Sequence, residues 1–215
     1  MKKNFKIPNK IPVFPLSNFI IFPETTVPLN IFEPRYIQMI DDCMKGNRLI
    51  GIVQPKKTGD LKKPDLYEVG CVGKIKSFNE TEDGRYLIVL EGVSRYKITG
   101  ELKSDKLYRE CEVSFDYYKN DFEKNENIQT KFSDVKLIFT DLKDIFRKQG
   151  YLINWNDIEK QTIDQTINTL SMISPFSVEE KQILLETKTL LERKEKLEEI
   201  LKTYTSVSIT NNTLQ

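Results

Sequence analysis

Residues 23–44, PETTVPLNIFEPRYIQMIDDCM, change hydrophobic period within a single line, and the rest of the chain is read outward from that change. Val27, Leu29 and Ile31 alternate, as a strand with one buried face requires. Pro34 then stands where a first helical turn accepts proline, because that amide would lack an intrahelical partner anyway. From there Tyr36, Ile37, Ile40, Cys43 and Met44 recur at helical spacing, and Gly46 is placed to supply a left-handed cap. A strand therefore hands over directly to an amphipathic helix. The residues of mixed chemistry left at the junction are Phe32, Glu33, Arg35, Tyr36 and Gln38, and on spacing alone they read as scaffold.

Upstream, residues 11–16 (IPVFPL) read as a short strand, and their prolines place it at the start or border of a sheet, since proline cannot donate to a ladder. Downstream, residues 49–53 (LIGIV) are a short apolar strand, and the Lys-rich residues 55–64 read as a solvated, mobile loop. Residues 67–78 resume a β pattern. Glu82-Asp83-Gly84 has turn chemistry and residues 86–90 (YLIVL) are apolar on both faces, so the two strands form a hairpin. Gly92 permits a bend before Arg95, and Leu107, Arg109, Cys111, Val113 and Phe115 alternate along a further strand. The first half is thus an antiparallel-rich β lobe with one helix.

Near Tyr117 the period changes, through a polar bridge at residues 117–127 (YYKNDFEKNEN) that reads as a boundary or hinge. Beyond it Ile128, Phe132, Val135, Phe139, Leu142 and Phe146 make one helical stripe, stopped at Gly150. Asn156 with Glu159 reads as a capping pair for a second helix carrying Ile163, Ile167 and Leu170, which Pro175 ends. Ser177 with Glu180 has capping-box spacing for a third, and Thr187 is placed to cap a fourth bearing Leu190, Leu197 and Leu201. The expected organisation is α+β: a β lobe over residues 1–117, a helical lobe over 118–205, and a loose polar tail over 206–215.

Composition narrows the chemistry. The 215 residues carry 33 basic and 32 acidic side chains, for a formal charge of +1, so no global field draws nucleic acid or an anionic membrane. Cys43, Cys71 and Cys111 are odd in number and lie in apolar patterns, which points to reduced core thiols and a cytoplasmic setting. Prolines break the apolar start that a signal segment needs, and no apolar run of about 18 residues occurs. With 0 histidines, Ser-His-Asp and Cys-His nucleophile systems are impossible, as are His-containing zinc sites. No phosphate-cradling Gly-x-x-x-x-Gly-Lys-Ser/Thr loop is present, and Ser94 in GVSRY lacks the second glycine of a nucleophile elbow. A Ser-Lys peptidase would show no diagnostic spacing and ranks last. Asp41 and Asp42 are adjacent on the helix, point apart, and read as a solvated face. Arg85, Tyr86, Arg95, Tyr96, Lys97, Tyr108 and Arg109 interleave cations with rings, as single-stranded nucleic-acid surfaces do, although strand alternation favours rings in the core and cations facing water or pairing with Glu91 and Glu112.

Four segments together carry a resemblance: residues 28–39 (PLNIFEPRYIQM), 69–73, 83–98 (DGRYLIVLEGVSRYKI) and 108–113 (YRECEV). They resemble, in order, the amino-terminal substrate-binding domain of Lon proteases, and most of all the stand-alone bacterial proteins made of that domain. Residues 175–201, PFSVEEKQILLETKTLLERKEKLEEIL, resemble the segment before the long helix of Lon. The resemblance implies a PUA-like pseudo-barrel followed by a helical bundle. Full Lon enzymes continue into an ATPase module and a Ser-Lys peptidase, so it also implies a chain that keeps recognition, lacks catalysis and needs no cofactor or metal. The expected partners are unfolded or exposed protein segments, with a protease system behind them. An adaptor or holdase-like role fits this, with PUA-like RNA binding as the alternative. The region carried over as the binding site is the junction at Phe32, Glu33, Arg35, Tyr36 and Gln38.

Overall fold

The computed structural model describes residues 7–60, 63–122 and 135–211. The chain divides into two compact units, Met1–Lys124 and Asn125–Gln215.

The first unit is a six-stranded sheet with one helix, in the order β1 (Lys10–Pro15), β2 (Thr26–Ile31), α1 (Pro34–Met44), β3 (Leu49–Asp60), β4 (Lys63–Glu80), β5 (Tyr86–Glu101) and β6 (Arg109–Ser114). The strand order is β2-β5-β4-β3-β1-β6, and a further pairing of β5 with β6 closes five of these strands into a ring, with β2 outside it. β5 does this by splitting its length: Tyr86 to Glu91 face β2, whereas Lys97 to Glu101 face β6. β4 and β5 form the expected hairpin.

β1 is not at a border. It lies between β3 and β6, and its prolines are tolerated because the two ladders overlap only at Val13. Pro12 is paired on the β6 side alone and Pro15 on the β3 side alone, so each missing donor faces a position with one neighbour. The Lys-rich stretch after Val53 is not a loop either. β3 and β4 continue through it, pairing Pro55 with Leu66, Gly59 with Pro64 and Asp60 with Lys63, while Lys56, Lys57 and Thr58 stay exposed. Helix α1 starts at Pro34 as expected, but Lys45 caps it in right-handed geometry, and the positive φ comes at Arg48 (61°) instead of Gly46.

The interior of the ring centres on Tyr96, which is fully buried among Ile11, Val13, Leu49, Val53, Val72, Cys111 and Val113. Its hydroxyl donates to the Ile52 carbonyl at 3.2 Å. Gly51 and Gly70 make room for that ring, since a Cβ on Gly70 would stand 2.4 Å from the tyrosine oxygen. All three cysteines are buried free thiols.

The second unit comprises α2 (Lys136–Lys148), α3 (Trp155–Glu159), α4 (Ile163–Ile173), α5 (Val178–Glu186) and α6 (Leu190–Asn211). Val135, Phe139, Leu142 and Phe146 supply one side of its core and Ile167, Leu170, Leu184, Leu197 and Leu201 the other. Ile128 and Phe132, expected on the same stripe, lie outside the described residues. Gly150 has the positive φ (75°) that ends α2. The Ser177–Glu180 capping box is present. Two other caps differ from expectation. Asn156 and Glu159 lie inside the short α3, and α4 is capped by Thr162 with Gln165 at its third position. Thr187 is the C-cap of α5, and α6 is capped by Thr189, whose hydroxyl accepts from Glu192 N at 3.1 Å while Glu192 Oε2 accepts from Thr189 N at 3.3 Å. α6 runs on through Asn211, into the stretch expected as a tail from Ser206.

Candidate functional site

The junction forms because β2 ends at Ile31, buried against the core, and Glu33 leaves the strand in extended geometry (φ −74°, ψ 133°) to become the N-cap of α1. The Glu33 carboxylate does not cap the helix. Its Oε2 accepts from Arg35 Nε at 2.9 Å and from the Arg35 terminal amine at 2.8 Å. That grip lays the guanidinium over the Tyr36 ring, 4.5 Å from its centroid. Tyr36 is itself only 5% exposed and packs on Phe14 with ring centroids 4.1 Å apart. Burial pushes its phenol above the ordinary value, and the Arg35 charge works against that shift.

Phe32, one residue before the cap, is 64% exposed. Gln38 faces a loop from the far end of β5: its Oε1 accepts from the backbone amide of Leu107 at 2.9 Å. The same loop leaves Leu107, expected at the start of a further strand, 62% exposed, because β6 begins only at Arg109. No periodicity in the sequence marks Leu107 as external, since its alternation with Arg109 and Cys111 imitates a strand. The helix start contributes little hydrogen-bonding capacity. Pro34 has no N–H, and the amides of Tyr36 and Ile37 both donate to the Glu33 carbonyl at 2.9 Å. What the junction presents is therefore side chains: an exposed ring, an exposed leucine, and a guanidinium held between a carboxylate and a phenol ring.

The other side chains singled out by their chemistry are tied into the fold. Asp41 and Asp42 are not a solvated face, for they accept the hydroxyls of Tyr86 and Tyr108 at 3.0 and 2.9 Å. Arg95 does not face water; it is buried against Asp121. Glu91 and Glu112 are taken by Lys76 and Lys10 and not by the cations expected to pair with them; Arg85 pairs with Asp83 and Lys97 with Glu68. Arg109 is bound by both oxygens of Glu101 and donates to the Pro64 carbonyl at 2.7 Å. Ser94 is buried and donates to the Arg95 carbonyl at 3.0 Å. Among the described residues no group of three or more His, Cys, Asp or Glu side chains could hold a metal, and no helix is long and apolar enough to cross a membrane.

The sequence model of the ATP-dependent protease La (LON) substrate-binding domain matches residues 10–203. The chain belongs to this family. It is 27% identical to the Lon protease of Desulfosudis oleivorans over 188 residues, 85% of this chain and 22% of that one. It is 28% identical to the Lon protease of Syntrophus aciditrophicus over 212 residues, 92% of this chain and 25% of that one. The Lon-family match is thus to at most a quarter of the length of these relatives. Among solved structures, the Lon N-terminal domain protein from Xanthomonas campestris superposes with a TM-score of 0.61 at 20% identity, covering 90% of this chain and 97% of that one. The N-terminal domain of the Mycobacterium avium complex Lon protease gives 0.59 at 17% identity. The fold is that of a Lon N-terminal domain, mixed α and β, and the family's model describes a substrate-binding domain.

Proposed function

We propose that this chain is a non-catalytic, cytoplasmic module that binds unfolded or exposed protein segments and works as an adaptor or holdase-like factor beside a protease system. The closed ring of five strands supports reading the first unit as a PUA-like pseudo-barrel, and the helices α2 to α6 around one core support reading the second as a helical bundle. The observation that carries the reading is Phe32: a large aromatic side chain, 64% exposed, on a junction whose backbone is fixed by β2 on one side and α1 on the other. A rigid scaffold presenting an aromatic anchor beside a preorganised guanidinium spends little ordering entropy when it meets an extended peptide. Glu33, Arg35 and Gln38 orient that meeting, and Tyr36 supports Arg35 from below.

The test is titration of a permanently unfolded, fluorescently labelled protein with the wild type and with Phe32→Ala, alongside denaturant unfolding of both. Loss of binding by about 1 kcal/mol or more, with stability changed by under about 0.5 kcal/mol, is the expected result. Binding that is unchanged in Phe32→Ala moves the site elsewhere. Affinity that collapses with added salt and transfers to RNA overturns the protein-binding reading altogether.

A further inference from the structure

β2 is the strand left outside the ring: it pairs with β5 on one side, and among the described residues no strand pairs with its other side. Which of its backbone groups face that way follows from the ladder. The Gly92 amide donates to the Thr25 carbonyl at 2.8 Å, and the register sets Thr26 opposite Glu91. Bonded and non-bonded pairs alternate in an antiparallel ladder, so Val27, Leu29 and Ile31 exchange bonds with Leu90, Ile88 and Tyr86, while Thr26, Pro28 and Asn30 turn their backbone groups outward. Pro28 fits that assignment, because at an outward position its missing N–H costs the β2–β5 ladder nothing. The outer edge therefore carries the carbonyls of Thr26, Pro28 and Asn30 and the amides of Thr26 and Asn30. All three residues are exposed, and among the described residues none of these groups is hydrogen-bonded.

The side chains beside that edge suit an added strand. Val27 and Ile31 are 9% and 2% exposed, but Leu29 between them on the same row is only half-buried, although its partner Ile88 is 1% exposed. The row is thus open at its middle, where a neighbouring strand would supply a side chain. On the opposite face Thr26, Pro28 and Asn30 lead to Phe32, the 64% exposed ring two residues further on. Pro28 also selects the occupant. Two copies of β2 joined antiparallel with their outward residues fully overlapped would set Pro28 against Pro28 and lose both bonds of that pair, whereas a foreign strand loses one.

We propose that the outer edge of β2 is a strand-addition site, on which an extended segment of an unfolded polypeptide pairs its backbone with Thr26, Pro28 and Asn30 and brings a side chain to Phe32. Strand addition rests on the protein-binding reading above and gives it a mechanism. Backbone pairing is indifferent to the sequence of the client, and Phe32 adds a preference for an apolar residue at one end.

The probe is the same labelled, permanently unfolded protein, and the readout is residue-resolved hydrogen exchange of the wild-type chain with and without it. Without the probe, the Thr26 and Asn30 amides are expected to exchange at least tenfold faster than those of Leu29 and Ile31, which β5 protects. Saturation with the probe is expected to slow Thr26 and Asn30 at least tenfold. Binding that leaves both amides fast means that side chains alone hold the client, which overturns strand addition and leaves the protein-binding reading standing. No binding at all overturns both. The paired variant is Asn30→Pro, which removes an outward donor two residues from a proline that β2 already tolerates. It is expected to weaken binding of the probe at least tenfold while the Leu29 and Ile31 amides stay protected, and unchanged affinity with that protection intact overturns strand addition. Should Asn30→Pro lose the strand, the exchange of the wild-type chain decides alone.

Discussion

Asp42 accepts a 2.9 Å hydrogen bond from the hydroxyl of Tyr108, a residue 66 positions further along the chain. Its neighbour Asp41 accepts one of 3.0 Å from Tyr86, at the start of β5. Consecutive helical residues point about 100° apart, so the two tyrosines reach α1 from different flanks and tie it to β5 and to the loop before β6. This fixes the junction that α1 begins, and with it the presentation of Phe32 and Arg35. Tyr86→Phe and Tyr108→Phe are each expected to cost about 1 kcal/mol of stability, measured by urea unfolding. Because the flanks are separate, the double variant should cost the sum within about 0.5 kcal/mol. Strong non-additivity would mean that α1 detaches as one piece once either tether is cut.

The caps of the helical unit give a second prediction. Thr189→Ala removes the acceptor for the Glu192 amide and should cost about 1 kcal/mol. Thr187→Ala removes a donor to the Leu184 carbonyl, which also accepts from Arg193 Nε, so no buried acceptor is stranded and about 0.5 kcal/mol or less is expected. Thermal unfolding of the two variants side by side separates them. The reverse order would return the cap of α6 to Thr187.

Stability should also fall in alkali, for a reason that can be traced to single groups. Burial, with the Asp42 charge adding to it, pushes the Cys43 thiol from 9.0 up to about 12, and burial pushes Cys111 from 9.0 to about 11. A group whose folded value is raised stabilises the fold fully below its unfolded value and loses that contribution as pH rises toward the folded value. The unfolded thiols therefore release protons first, and the fold weakens above pH 9. Tyr108 and Tyr204, both raised from 10.0 to about 12, join only above pH 10. Between those two pH values Cys43→Ala should lose stability less steeply than the wild type, with a limiting difference of about 1.4 kcal/mol per pH unit for one proton. Parallel slopes in guanidinium unfolding series would show that Cys43 ionises freely in the folded chain.

Local chemistry accounts for what could be read in advance. The handover from Val27–Leu29–Ile31 to the helix at Pro34 rests on side-chain period and on a missing proline donor. The same holds for the β4–β5 hairpin, the Ser177–Glu180 box and the burial of Cys43, Cys71 and Cys111, each a property of residues within a few positions of one another. Thr162 with Gln165 and Thr189 with Glu192 were equally legible by the same spacing, and were masked by Asn156–Glu159 and Thr187, which imitate it.

A period tells which face of a segment is covered but not what covers it, and the departures other than the caps come from that gap. Arg95 alternates as a solvent-facing cation would, yet Asp121, 26 residues away, neutralises and buries it. The lysines after Val53 read as a loop until β3 and β4 pair their backbones, leaving the Lys56 and Lys57 side chains in water. Leu107 keeps strand alternation but is turned outward when Gln38 takes its amide, and the prolines of β1 suit an interior strand only because its two ladders meet at Val13 alone. Closure of the ring through β5 and β6 is of the same kind: it is a contact between distant segments, whose free energy depends on loop closure and shared burial and leaves no trace in either segment read singly.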